Sequence, residues 1–227
     1  MITTVIFDLD DTLYDELDYC KSGFKAVAES LSNLVDVLSP EEIFDSLWQQ
    51  FTAGNRTKTF NAALDDLGIS YDDKIIEKLV KTYRNHKPKI KLPADSGKIL
   101  RQLSKKYTLA LLTDGFLPAQ RLKVQALKIE KYFKCIIYTE QLGRQFWKPS
   151  PAGFEKLIKT LNAKPQNIAY VADNQMKDFI APNKLGFVTI QIIRPARIHT
   201  STSDAPHAAA QHVIRKISRL PFLLGKL

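Results

Sequence analysis

The chain has 227 residues, of which 44% are hydrophobic and 25% charged, an ordinary balance for a globular protein with room for one full α/β domain and a small accessory one. No apolar run nears the roughly 20 residues a membrane span needs, and the first apolar segment is short, lacks a basic lead and runs into acids, so neither an anchor nor a signal peptide is expected. The net charge of +9 could attract anionic ligands, but there is no run of five basic residues, no zinc-finger spacing and no RNP-type aromatic pattern, so no nucleic-acid partner is expected.

Taken in order, residues 3–7 (Thr-Thr-Val-Ile-Phe) are β-branched and apolar and predict a short buried strand. Asp8-Leu9-Asp10-Asp11-Thr12 follows at once. Cys20, Phe24, Val27, Leu31, Leu34 and Leu38 then recur with a 3.6-residue period, the mark of an amphipathic helix. Ser39-Pro40-Glu41-Glu42 opens the next helix with a capping serine, a proline at the first position and early acids. Ile43, Leu47 and Phe51 line its apolar side, and Gly54-Asn55 breaks it. Phe60, Leu64 and Leu67 predict a third helix closed by Gly68, and Asp72 opens a fourth through Ile76, Leu79 and Tyr83. Residues 16–87 therefore form an all-helical insert, ended at Lys87-Pro88.

Beyond it the pattern alternates. Helices are expected over 96–105, 117–127, 152–161 and 178–185, and strands over 107–112, 135–138, 168–171 and 187–193. Such alternation implies βαβ crossovers and a mostly parallel sheet, hence an α/β fold. The tail carries Arg194, Arg197, Arg215, Lys216, Arg219 and Lys226 against Asp204, and ends in a helical or strand-like piece through 213–214 and 220–224. Cys20 and Cys135 are few and far apart, which fits free thiols and a cytoplasmic setting.

Polar groups follow the strands closely. Asp8 and Asp10 point the same way in an extended segment, and two such charges are costly unless a cation or a shared proton relieves them. The second strand runs into Thr113-Asp114, the fourth into Asp173-Asn174 with Asp178 beyond, and Lys148 sits between them among prolines. Singly, each has a bland explanation: a helix cap, a loop charge, a solvated turn acid.

Together, in this order and spacing, they resemble the haloacid dehalogenase-like hydrolase superfamily. The resemblance spans the chain except for the tail. It implies a Rossmann-like core with strand order 5-4-1-2-3, made of residues 1–15 and 88–227, and reads the insert at 16–87 as a helical cap. The span from Thr113 to Lys148 leaves no room for the family's larger cap type. The sequence departs from the family at Ala172, where glycine is usual, and alanine is small enough to serve.

The resemblance further implies magnesium-dependent phosphoryl transfer. Asp8 would be the nucleophile and Asp10 the acid/base; Thr113, Asp114 and Lys148 would bind phosphate; Asp8, Asp10 through its carbonyl, and Asp173 would hold Mg2+. Asp178 and Thr12 would stand behind them, Asp178 orienting Lys148 or a metal-bound water. The family's dehalogenase branch lacks an aspartate at the Asp10 place, because a halide leaves without a proton, so a phosphatase is favoured. A phosphomutase keeps the same acid/base, and a non-catalytic binding protein with a basic tail is the reading from another class. The expected partner is a small phosphorylated metabolite, a sugar or sugar-acid phosphate by overall layout, with no membrane and a monomer or homodimer. Arg56, at a helix junction of the insert, could pair with a second anionic group of the substrate.

Overall fold

The computed structural model describes residues 1–35 and 38–227. Thr4-Val5-Ile6-Phe7 is buried at every position and forms strand β1 (Thr4–Phe7). Around it lie β2 (Thr108–Thr113), β3 (Cys135–Tyr138), β4 (Ile168–Ala172), β5 (Val188–Ile192) and β6 (His212–Ile214). The helices are α1 (Glu16–Ser32), α2 (Pro40–Thr52), α3 (Thr59–Asp66), α4 (Asp73–Asn85), α5 (Ala94–Leu103), α6 (Ala119–Leu127), α7 (Ala152–Leu161), α8 (Ile180–Leu185) and α9 (Leu220–Leu224).

Among the described residues, six strands join one parallel sheet in the order β3-β2-β1-β4-β5-β6. Read from the other edge, this contains the expected 5-4-1-2-3. The correction is a sixth strand from the tail, paired with β5 through Ile190–His212 and Ile192–Ile214. Its three residues show one buried side chain, Ile214, too short a pattern for periodicity to resolve. Near-continuous apolar strands suit a sheet covered by helices on both faces. One face packs Ile6, Leu112, Tyr170 and Ala172 against Phe154 and Leu157 of α7 and against Phe179 and Phe187.

The chain divides into two compact units, Met1–Leu17 with Lys91–Leu227, and Asp18–Ile90. The sheet belongs to the first. The second is helical and is built on aromatic rings: Phe24 of α1 meets Phe51 and Tyr83 at centroid distances of 5.4 and 5.3 Å. Ser39 and Glu42 form a reciprocal capping box at the start of α2, with Pro40 at its first turn. Helix α1 stops at Ser32 instead of continuing to Leu38, and Leu34 is exposed. Ser32 and Asn33 favour local turns over helix, and residues 36 and 37 of that expected helix lie outside the described residues. At α8 the helix begins at Ile180 instead of 178, because the Asp178 carboxylate accepts from the Asn174 amide at 2.9 Å in the preceding turn.

Candidate active site

In an open α/β sheet, ligands bind outside the C-terminal strand ends where neighbouring connections diverge. Here β1 lies between β2 and β4, with Phe7 in register with Leu111 and Val171. That register brings Asp8, Thr113-Asp114 and Asp173 to one edge. The Asp8 amide still bonds the Val171 carbonyl at 2.9 Å, after which the chain turns sharply with Asp11 at φ 50. Left-handed backbone is tolerated by aspartate better than by most residues. The buried Asp11 carboxylate fixes the turn, accepting from the Glu16 amide at 2.8 Å and the Ile198 amide at 2.6 Å.

Lys148 is 6% exposed and reaches Asp8 at 2.6 Å, Asp178 at 2.7 Å and the Tyr170 hydroxyl at 3.1 Å. Burial would strip its proton, but Asp178 and Asp8 hold the ammonium well above its usual range. Burial pushes Asp8 up to about 7 against the pull of Lys148. Asp178 resists burial because Lys148 and Lys177 keep its carboxyl low. The Asp114 carboxylate braces the lysine loop, accepting from the Lys148 amide at 3.2 Å and the Thr139 hydroxyl at 2.8 Å.

Asp10 is surrounded by donors. Tyr14 reaches it at 2.5 Å, Gln120 at 2.8 Å, and Lys123 lies 2.8 and 2.9 Å from its two oxygens. Burial would raise its carboxyl, but Lys123 and these bonds bring it below the ordinary value. The same Gln120 amide donates to the Thr113 hydroxyl at 2.6 Å. Gly115 makes room for this: its φ is +135, and a Cβ there would come within 2.9 Å of the Gln120 side chain.

Asp173 differs from the others. It is 4% exposed, its Oδ2 has no hydrogen-bond partner, and burial with the charges of Asp178 and Asp8 pushes it up to about 9. Oxygens of Asp8, Asp173 and Asp178 all lie within 4.8 Å of one another. An orphaned buried carboxylate oxygen beside two further acids is a hard-oxygen donor set, and it fits a divalent cation of the magnesium type.

Asp8, Asp10, Asp114, Lys148 and Asp173 line one cavity of about 300 Å³, together with Glu16, Phe116, Trp147, Lys177 and His199. Thr113 is buried beside it and Asp178 lies behind Lys148. The Thr12 hydroxyl is buried without a hydrogen-bond partner. Arg56 belongs to the helical unit, between α2 and α3, exposed, with its guanidinium 5.6 Å over the Phe51 ring.

Sequence reasoning missed Tyr14, Gln120, Lys123, Tyr170 and Lys177. Three of these left a signal: Gln120 and Lys123 are polar residues three apart on the face of α6 that buries Ala119, Val124 and Leu127. Tyr170 is the one hydroxyl in the otherwise apolar β4.

Residues 5–192 match the model of the haloacid dehalogenase-like hydrolase family. The chain belongs to that family. Among relatives of this hydrolase, glyceraldehyde 3-phosphate phosphatase of Methanopyrus kandleri is 28% identical over 86% of this chain and 85% of the relative. N-acylneuraminate-9-phosphatase of Mus musculus is 25% identical over 100% and 95% of the two chains. The crystal structure of 2-haloacid dehalogenase from Pseudomonas syringae pv. tomato superposes with a TM-score of 0.68 at 22% identity, covering 100% of this chain and 99% of that one. That likeness is one of fold. Among the described residues, no helix of this hydrolase is long and apolar enough to cross a membrane.

Proposed function

We propose that this hydrolase is a magnesium-dependent phosphatase that acts on a small sugar or sugar-acid phosphate through an aspartyl-phosphate on Asp8. The observation that carries the reading is Asp10. It lines the same cavity as Asp8, two residues on, with donors of its own. A halide leaves carbon without a proton, whereas an alkoxide leaving phosphorus needs one. The names of both relatives support a phosphate ester of a sugar-type metabolite.

Asp8, Asp173 and the Asp10 carbonyl would hold the magnesium ion, whose charge offsets repulsion between a carboxylate and an anionic phosphate. Asp8 attacks phosphorus as the bond to the leaving oxygen breaks. Lys148, the Thr113 hydroxyl and the Asp114 amide hold the phosphoryl oxygens while charge shifts. Asp178 and Tyr170 keep the Lys148 ammonium in place through their own contacts with it. Asp10 takes up a proton from solvent or from the incoming phosphate monoanion and hands it to the leaving oxygen, then takes one from the water that splits the intermediate. As a carboxylate ringed by donors, it stands in the form the second step requires. This reading gives the helical unit the role of cap and substrate selector, with Arg56 as its candidate anion contact.

The test is a screen of phosphorylated metabolites with purified protein and magnesium. Hydrolysis of sugar-type phosphates is expected, and Asp8→Asn should abolish it while the fold persists. Ordinary turnover in that variant would end the proposal.

A further inference from the structure

Lys123 is 4% exposed on α6, a helix that otherwise buries small and apolar side chains and Gln120. Burying an ammonium there is costly, and an apolar side chain of similar volume is often as stable or more so. Its contacts are local and directed. Its nitrogen lies 2.8 and 2.9 Å from the two Asp10 carboxylate oxygens, with the Glu16 carboxylate at 3.7 Å. Gln120, one turn earlier, donates to Asp10 Oδ2 at 2.8 Å and to Thr113 Oγ1 at 2.6 Å. Tyr14 donates to Asp10 Oδ1 at 2.5 Å. Three donors therefore converge on one carboxylate, and one of them ties it to the threonine hydroxyl of the neighbouring strand end.

A proton can be passed in the transition state only by a carboxyl held within hydrogen-bond reach of the reacting oxygen. Small misplacement of such a group costs rate steeply. A free aspartate on a loop has several rotamers and would spend only part of its time in reach.

We propose that Lys123, with Gln120, is a positioning residue for Asp10, holding its carboxyl where it serves both proton transfers of the two-step hydrolysis. The inference rests on the phosphatase reading. In the first step the Asp8 oxygen bonds phosphorus, the bond from phosphorus to the leaving oxygen breaks, and a proton that Asp10 has taken up from solvent or from the phosphate monoanion goes to that oxygen. In the second, water bonds phosphorus, the Asp8–phosphorus bond breaks, inorganic phosphate is released, and the water proton goes to Asp10.

Two esters separate positioning from a structural role. Phenyl phosphate needs a proton on its leaving oxygen, and 2,4-dinitrophenyl phosphate does not. Wild type, Asp10→Asn, Lys123→Met, Lys123→Arg and the Asp10→Asn/Lys123→Met double variant are compared with magnesium in steady state and stopped flow. Lys123→Met should lose about 10- to 100-fold in kcat/KM on phenyl phosphate. On the dinitrophenyl ester its first turnover should stay within about threefold of wild type, followed by slow turnover, so that a burst of dinitrophenolate appears. Lys123→Arg should restore part of the loss. The double variant should match Asp10→Asn within about twofold, because Lys123 acts through Asp10.

Equal losses on both esters, or a further loss in the Asp10→Asn background, would overturn the inference while leaving the phosphatase reading intact. A wild type inert towards both esters and towards the metabolite screen would remove both. If Lys123→Met does not fold, Gln120→Leu must show the same pattern at smaller amplitude, and its absence there would also refute the proposal.

Discussion

In metal-free protein, the Asp173 carboxyl is pushed from 3.8 to about 9, and Asp8 to about 7. Raised values mean that the folded state binds protons which the unfolded state has already released. Stability is then greatest below the unfolded value and is lost as pH climbs through the folded one, a window of roughly pH 4 to 9 for Asp173. At about 1.4 kcal/mol per pH unit, Asp173 alone removes about 3 kcal/mol between pH 6 and 8. For a chain of this length that corresponds to about 6–12 °C in Tm. Magnesium competes with the proton for the same oxygens, so its stabilising effect should grow over that interval. The assay is urea unfolding with EDTA or with magnesium, read by Trp147 emission in a Trp48→Phe background so that the sheet unit reports by itself. Asp173→Asn removes the titration and should be more stable than wild type at pH 8 without metal, with a flatter pH profile and no response to magnesium. Metal-free stability that is level or rising from pH 6 to 8, or an unchanged slope in Asp173→Asn, would refute the reasoning.

Three further outcomes are expected. Lys148→Met should cost at least about 100-fold in kcat, since it removes an ammonium in contact with Asp8; a loss under tenfold in steady-state assays would show that Lys148 does not carry the phosphoryl charge. Arg56→Ala should alter relative rates among phosphorylated metabolites more than it alters hydrolysis of a small generic ester, and equal losses on all would assign Arg56 to the packing on Phe51. Gly23→Ala should destabilise the helical unit by about 1–2 kcal/mol, overpacking outweighing the gain in helix propensity, because its Cβ would meet the Tyr83 ring at 2.4 Å; chemical denaturation showing a gain would mean that Tyr83 moves aside at no cost.

Much of the fold was legible because its signals are local. The β-branched run before Asp8, the capping box at Ser39 and Glu42, and the regular alternation after residue 88 each need only a few neighbouring residues to be read. What failed had weak or competing local signals. The helix expected to reach Leu38 stops at Ser32, and Asp178 leaves its helix for the Asn174 turn. At strand β6 the sequence left helix or strand open over 213–214, because three residues carry no period to detect.

The sequence by itself determined which acids, hydroxyl and lysine follow the strands, since order and spacing along a parallel sheet dictate which strand ends meet. It could not determine the charge state of any of them. Asp8 and Asp173 are raised while Asp10 and Asp178 are lowered, though all four are aspartates in or beside one pocket. The difference comes from the balance of burial against partners in space: Lys123 grips Asp10, Asp178 has Lys148, Lys177 and the Asn174 amide, burial and the Asp178 charge outweigh Lys148 at Asp8, and one oxygen of Asp173 has no partner. Lys123 stands 113 residues from Asp10 along the chain. Coulombic attraction and desolvation depend on distance and burial in space, and only the packing of α6 against the turn after β1 brings that pair to 2.8 Å.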